Sequence, residues 1–269
     1  MQPHSCRRAA APVGARLVLA SIVAAAACSK KDEPASAAAA ATPLAASTAE
    51  PGLTTWHYTV DPQSRAHVDL PGLKERIKGD ATAAEGTLDV DGSDLSKSRG
   101  TVRIDLATFT TNTFGTDDDA TQTRHARTWL EVQGSGPTKD NVRWAEFAIR
   151  SIDGLAETNL AKVIPASGDG DDVRKVTMIV HGDLRVHGHA VPRDDVVDVA
   201  FHYPTGAPPA SKPSRIQIDS EQPLRVVLKE HDVRPRDPAG QLLEWTTKLV
   251  AKVADTADVT VHLGATPAP

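Results

Sequence analysis

Three histidines lie within a short stretch, at His181, His187 and His189. Imidazoles two apart on a strand point to one side, as a metal site requires, and His181 shares the parity of His187. The same residues admit a plainer role. Gly188 falls in or beside a hairpin turn, where alternation fails, so the histidines are read as turn or solvent-side groups and no metal is expected. Asp89-Val90-Asp91-Gly92-Ser93-Asp94 and Asp169-Gly170-Asp171-Asp172 gather carboxylates that hint at calcium. Neither has the spacing or the closing Glu of the calcium-binding loop, and turn chemistry accounts for both. His231 and Asp232 are neighbours, but catalytic pairs are defined by geometry and not by adjacency. No Gly-x-Ser-x-Gly elbow, phosphate loop or dinucleotide fingerprint occurs. The residues make no positive case for an enzyme, and none is expected.

Cys28 carries a different chemistry. It follows Leu17–Ala27 (LVLASIVAAAA), an unbroken run of apolar and small residues preceded by Arg7, Arg8 and Arg16. A basic start, a short apolar run and small residues before a cut site are the parts of a secretory signal, read here as residues 1–27. A run of eleven residues covers roughly 16 Å as a helix, about half a bilayer core, so a membrane span is not expected. The cysteine after Ala26 and Ala27 resembles the lipobox of bacterial lipoproteins, although Ala25 stands where Leu is usual. The expectation is an acylated Cys28 that tethers the chain to a membrane on the periplasmic side of the envelope. Ser29 after Cys28 resembles lipoproteins sent to the outer membrane.

Composition narrows the partners. Apart from Cys28 there is one other cysteine, Cys6, inside the signal, so neither a disulfide nor a thiolate site is expected in the mature chain. The formal charge of -5 becomes -8 once Arg7, Arg8 and Arg16 are removed. An acidic chain without a basic stripe is not a nucleic-acid binder. With 40% hydrophobic and 24% charged residues the rest is a soluble globular body.

The elements that must position these residues are strands. Val102, Ile104 and Leu106 alternate with Arg103 and Asp105. Val176, Met178, Val180, Leu184 and Val186 share a face. So do Val197, Val199, Phe201 and Tyr203, and Trp56, Tyr58 and Val60. Ile216 with Ile218, Leu224–Leu228 and Val259–Leu263 repeat the pattern. Period two with one wet face predicts an antiparallel sheet. Helix is predicted over Ala120–Val132, led by Asp117–Asp119, and over Leu242–Ala254, where the Val and Thr residues leave strand open as well. Residues 28–53, rich in Ala, Pro and Ser, read as a flexible tether with a reach of roughly 25–29 Å, and residues 265–269 as a disordered tail. The folded domain is 54–264, a sandwich or a barrel by period alone.

One segment decides between these. His181–Val191 (HGDLRVHGHAV), then Pro192 and a return strand, resembles the Gly-x-Leu-x-x-His-Gly stretch of the YceI-like family. Other landmarks follow in the family's order. They are Trp56–Asp61 with Ser64, Glu85–Val90 with Asp94, Leu95 and Ser98, Val102–Thr111, Arg124-His125 through Trp129–Val132, and Trp144–Ile152. Two departures stand out. Ala126 replaces an acid after the helix Arg-His, and His231–Arg236 lacks the Phe and Gly of a late Arg-x-Asp-Phe-Gly stretch.

The resemblance implies a mainly β fold, an extended antiparallel lipocalin-like β-barrel with one or two short helices. It implies a polyprenyl- or fatty-acid-like lipid as partner, with no other cofactor. Trp56, Tyr58, Met178, Val180, Leu184, Val186, Val199, Phe201 and Tyr203 would line the interior. The same residues would build a filled core in a β-domain that binds another envelope protein, and the residues alone do not separate the two. A homodimer is compatible with either reading and indicated by neither.

Overall fold

The alternating segments become eleven strands of one antiparallel sheet in the computed structural model. It describes residues 44, 55–71, 76–115, 117–134, 136–167, 170–237, 239, 241–242 and 255–269. The expected signal, Cys28, nearly all of the expected tether and the expected helix beyond Leu242 lie outside these residues. Of residues 28–53, Leu44 is described. Its N–H donates to Glu146 Oε1 at 2.7 Å.

The strands are β1 (Thr55–Val60), β2 (Arg65–Pro71), β3 (Arg76–Asp91), β4 (Arg99–Thr111), β5 (Trp144–Asp153) and β6 (Ala166–Ser167). They continue as β7 (Asp171–Val186), β8 (His189–Pro204), β9 (Arg215–Ser220), β10 (Leu224–Val227) and β11 (Thr256–Pro267). Neighbours run β11–β2–β3–β4–β5–β7–β8–β9, and β9 pairs back onto β11, so the sheet closes into a barrel. Closure removes the open edges that a sandwich would leave. β1 pairs with both β3 and β11, beyond the reach of the shorter β2. Register shifts in the β3–β4 and β5–β7 ladders mark bulges, which bend strands as a closed sheet requires.

The β7–β8 hairpin is the longest element. Val186 pairs with His189, Met178 with Val197 and Asp171 with Pro204, and the two-residue turn is His187-Gly188. Both turn residues have positive φ, 51° and 80°, as a type I′ turn demands. Gly182 on β7 is required for a different reason. A Cβ there would sit 2.5 Å from the Phe147 ring and from the Ala148 carbonyl oxygen.

The expected disordered tail is instead strand. Tyr58, Thr59 and Val60 pair with Pro267, Thr266 and Ala265, and Ala265 is buried. Gly264 and the prolines read locally as breakers, but Pro267 ends the strand, where little of the ladder depends on its missing N–H. The two ends of the domain are further tied by Gly264 N–H donating to Ser64 Oγ at 2.9 Å.

The first predicted helix forms as α1 (Asp117–Trp129), starting three residues earlier than expected. Asp119 accepts N–H groups from Thr113 at 2.9 Å and Phe114 at 3.1 Å, folding the approach to the helix. Arg127 Nε donates to Phe109 O at 2.8 Å and fastens α1 to β4. A shorter helix, α2 (Pro137–Val142), was not expected. Leu228 was expected to extend β10, but Leu228–His231 is a 3₁₀ turn that ends with Asp232 in a left-handed conformation.

Candidate functional site

The inward faces of the strands enclose a cavity of about 290 Å³. Its wall on β7 runs from Met178 to Val186, about 26 Å of strand at the usual rise. Val68, Val102, Ile104, Phe147, Val197 and Ile218 continue it around the ring. Trp129 at the end of α1 and Leu130 just beyond it contribute, as do Val226 of β10 and, after that strand, Leu228 and Val233. The volume lies just below the ~300–1,000 Å³ typical of small-molecule sites. Drawn out along the strands, it suits a narrow chain better than a compact molecule.

Met178, Val180, Leu184, Val186, Val199 and Phe201 face this cavity. Trp56, Tyr58 and Tyr203, expected to line the interior, are not among the residues of its wall. Tyr58 is fully buried and donates its hydroxyl to Pro213 O at 2.9 Å. Tyr203 lies under the Arg174 guanidinium, 4.6 Å from the ring centroid. Arg174 in turn donates to Pro209 O at 2.6 Å and Leu160 O at 3.1 Å. Burial pushes both tyrosine hydroxyls up, so they stay neutral. Together they pack a plug rather than a pocket. The Trp56 ring covers Gly92, where a Cβ would collide with it.

Almost every lining side chain is apolar. The polar residues among those described are Ser98, Arg99 and Asp195. Ser98 Oγ accepts from Asp91 N–H at 3.0 Å, and Arg99 Nε donates to Asp89 at 3.1 Å, so both are engaged within the protein. Asp195 has a weaker partner, the Ser220 hydroxyl at 3.3 Å. Burial pushes its carboxyl up to about 6, opposed by the Ser220 and Val196 hydrogen bonds. A carboxyl that titrates this close to neutrality can present a proton inside an oily wall. Sequence reading misses it because the alternation is followed from Val197 onward and not before it. Extending the alternation back from Val197 would have placed it inward.

The histidines separate. His181 is on the outer face between Asp194 (Nδ1, 2.7 Å) and Asp153 (Nε2, 3.0 Å), which raise its pKa. His187 is buried at the barrel rim against Glu131, Nε2 to Oε2 2.8 Å. Burial lowers its pKa, more than Glu131 raises it. The shared parity of His181 and His187 therefore fails, because the turn rotates His187 out of the strand pattern.

A closed antiparallel barrel around an apolar chamber is a lipocalin-like architecture. The YceI-like domain model matches residues 58–265, and the chain belongs to that family. No curated protein sequence matches it significantly. Similar solved structures include a polyisoprenoid-binding domain from Saccharophagus degradans implicated in plant cell wall breakdown. That match has 16% identity, 78% of this chain and 98% of that one covered, and a TM-score of 0.46. BcnA of Burkholderia cenocepacia is another, at 18% identity, 77% and 99% coverage and a TM-score of 0.48.

Proposed function

We propose that the barrel binds a long apolar lipid, isoprenoid-like or fatty-acid-like, for carriage or sequestration in a bacterial envelope. The observation that carries this is the 290 Å³ chamber with an almost wholly apolar wall. A filled core would serve a purely structural domain, and this interior is not filled. Each buried methylene contributes ~0.8 kcal/mol, so ten give about 8 kcal/mol. That falls within the ~4–15 kcal/mol lost in association, so affinity should depend steeply on chain length. Titration with a series of single-chain lipids tests this. Chains of roughly sixteen carbons and longer should bind at least a hundredfold more tightly than chains of eight. Equal or absent binding across the series would overturn the reading.

The second part of the proposal is the anchor. Acylation of Cys28 would hold the barrel near the membrane from which an apolar cargo must come, the outer membrane by the Ser29 pattern. Cys28→Ser should move the protein from the membrane fraction to the soluble fraction. Unchanged partition would remove the anchor from the account while leaving lipid binding intact.

A further inference from the structure

Beside the cavity, at the rim, the β7–β8 turn meets the end of α1 and the segment after β10. Ligand atoms of His187, His189 and Asp232 lie within 4.8 Å of one another. We propose that these three residues bind a divalent transition-metal ion of the zinc type, a role separate from lipid binding.

The tautomer of His187 is the main argument. Glu131 is an acceptor, so the 2.8 Å contact makes Nε2 the protonated nitrogen. Nδ1 is then a bare lone pair on a buried residue, and it has no hydrogen-bond partner. An unsatisfied buried acceptor is costly, and a cation would satisfy it. A carboxylate behind one imidazole nitrogen with the metal on the other is the usual support for a histidine ligand.

The other two ligands are held from behind as well. The His189 ring stacks on His187, centroids 6.3 Å apart. His231 Nδ1, 2.9 Å from the carbonyl of His189, fixes that end of β8. Asp232 is paired with Arg234 and with Arg236, the latter at 3.3 Å, and Arg236 also reaches Glu131 at 3.1 Å. These arginines balance the carboxylates, so the imidazoles must provide most of the attraction and the affinity should be micromolar. Among the described non-glycine residues four have positive φ, and Glu131, His187 and Asp232 are three of them. Such backbone is uncommon, and it concentrates where a surrounding structure holds side chains in place.

The test uses the full chain in detergent with Zn²⁺ alone, followed by calorimetry, and with Co²⁺ as an absorbing substitute. One equivalent should bind, and Co²⁺ should give visible bands of a low-coordinate nitrogen–oxygen site. His189→Ala, at an exposed position, and Asp232→Asn should each weaken binding at least tenfold. Glu131→Gln should weaken it by roughly 10–100-fold. His181→Ala, on the outer face, should change nothing, and circular dichroism should show each variant folded. The proposal is overturned by absence of saturable binding. It is equally overturned if His189→Ala binds as the parent does, or if His181→Ala abolishes the effect.

Discussion

Asp195 places an ionisable group in a wall that is otherwise almost wholly apolar, where Ser98 and Arg99 are engaged by other partners. Its folded-state carboxyl is raised to about 6 by burial, above the ordinary aspartate value. The folded protein therefore holds this proton more tightly than the unfolded chain. The stabilisation is complete at acid pH and is lost as pH rises through 6. Asp195→Asn should stabilise the protein at pH 8 by about 1–2 kcal/mol, allowing for partial solvation, and by almost nothing at pH 3. Urea melts at the two pH values check this; equal effects at both would refute it. Val180, paired with Asp195 across the hairpin, gives a complementary test. Val180→Phe should fill part of the chamber and reduce lipid uptake severalfold. Its cost in stability should be about 1–3 kcal/mol or less, because the added atoms enter existing space. A calorimetric titration read beside a thermal melt separates the two effects.

At the scale of elements, what could be read from the chain is what period two encodes. The inward positions of β7 and β8 follow directly from alternating residues such as Met178, Val180, Val197 and Val199. Alternation assigns a face but not a height along the barrel. Period two therefore puts Tyr58 and Tyr203 on an inward face without telling that they pack in the plug, away from the chamber wall. α1 was legible from its aspartates, but its role as a cavity wall was not, because Trp129 and Leu130 lie at its end rather than along a clear apolar stripe. The C-terminal strand was lost for a similar reason. Gly264 and Pro267 look like an ending, and pairing with β9 and with β1, the latter roughly two hundred residues away, makes them strand. That pairing has a consequence. Deleting residues 265–269 should cost about 2–4 kcal/mol, from a few ladder bonds near 1 kcal/mol each and one buried methyl group. Chemical denaturation of the truncated chain measures it, and an unchanged midpoint would show the strand to be dispensable.

For the whole molecule, closure of the sheet and retention of internal space belong together. An eight-strand ring leaves an interior that side chains can just fill or that can hold one small ligand. Here bulky residues concentrate in the plug around Tyr58, Tyr203 and Arg174, and the Val- and Leu-rich middle stays open. Family membership fixes the architecture, and the shape of the chamber argues for a chain-like guest. The most direct test is native mass spectrometry of the protein purified from cells without denaturation, followed by extraction of whatever it carries. The account predicts a one-to-one complex with a long-chain apolar lipid that disappears on organic extraction and returns when the lipid is added back. A protein that carries no such lipid, and takes up neither added polyprenyl nor fatty-acyl chains, would contradict it.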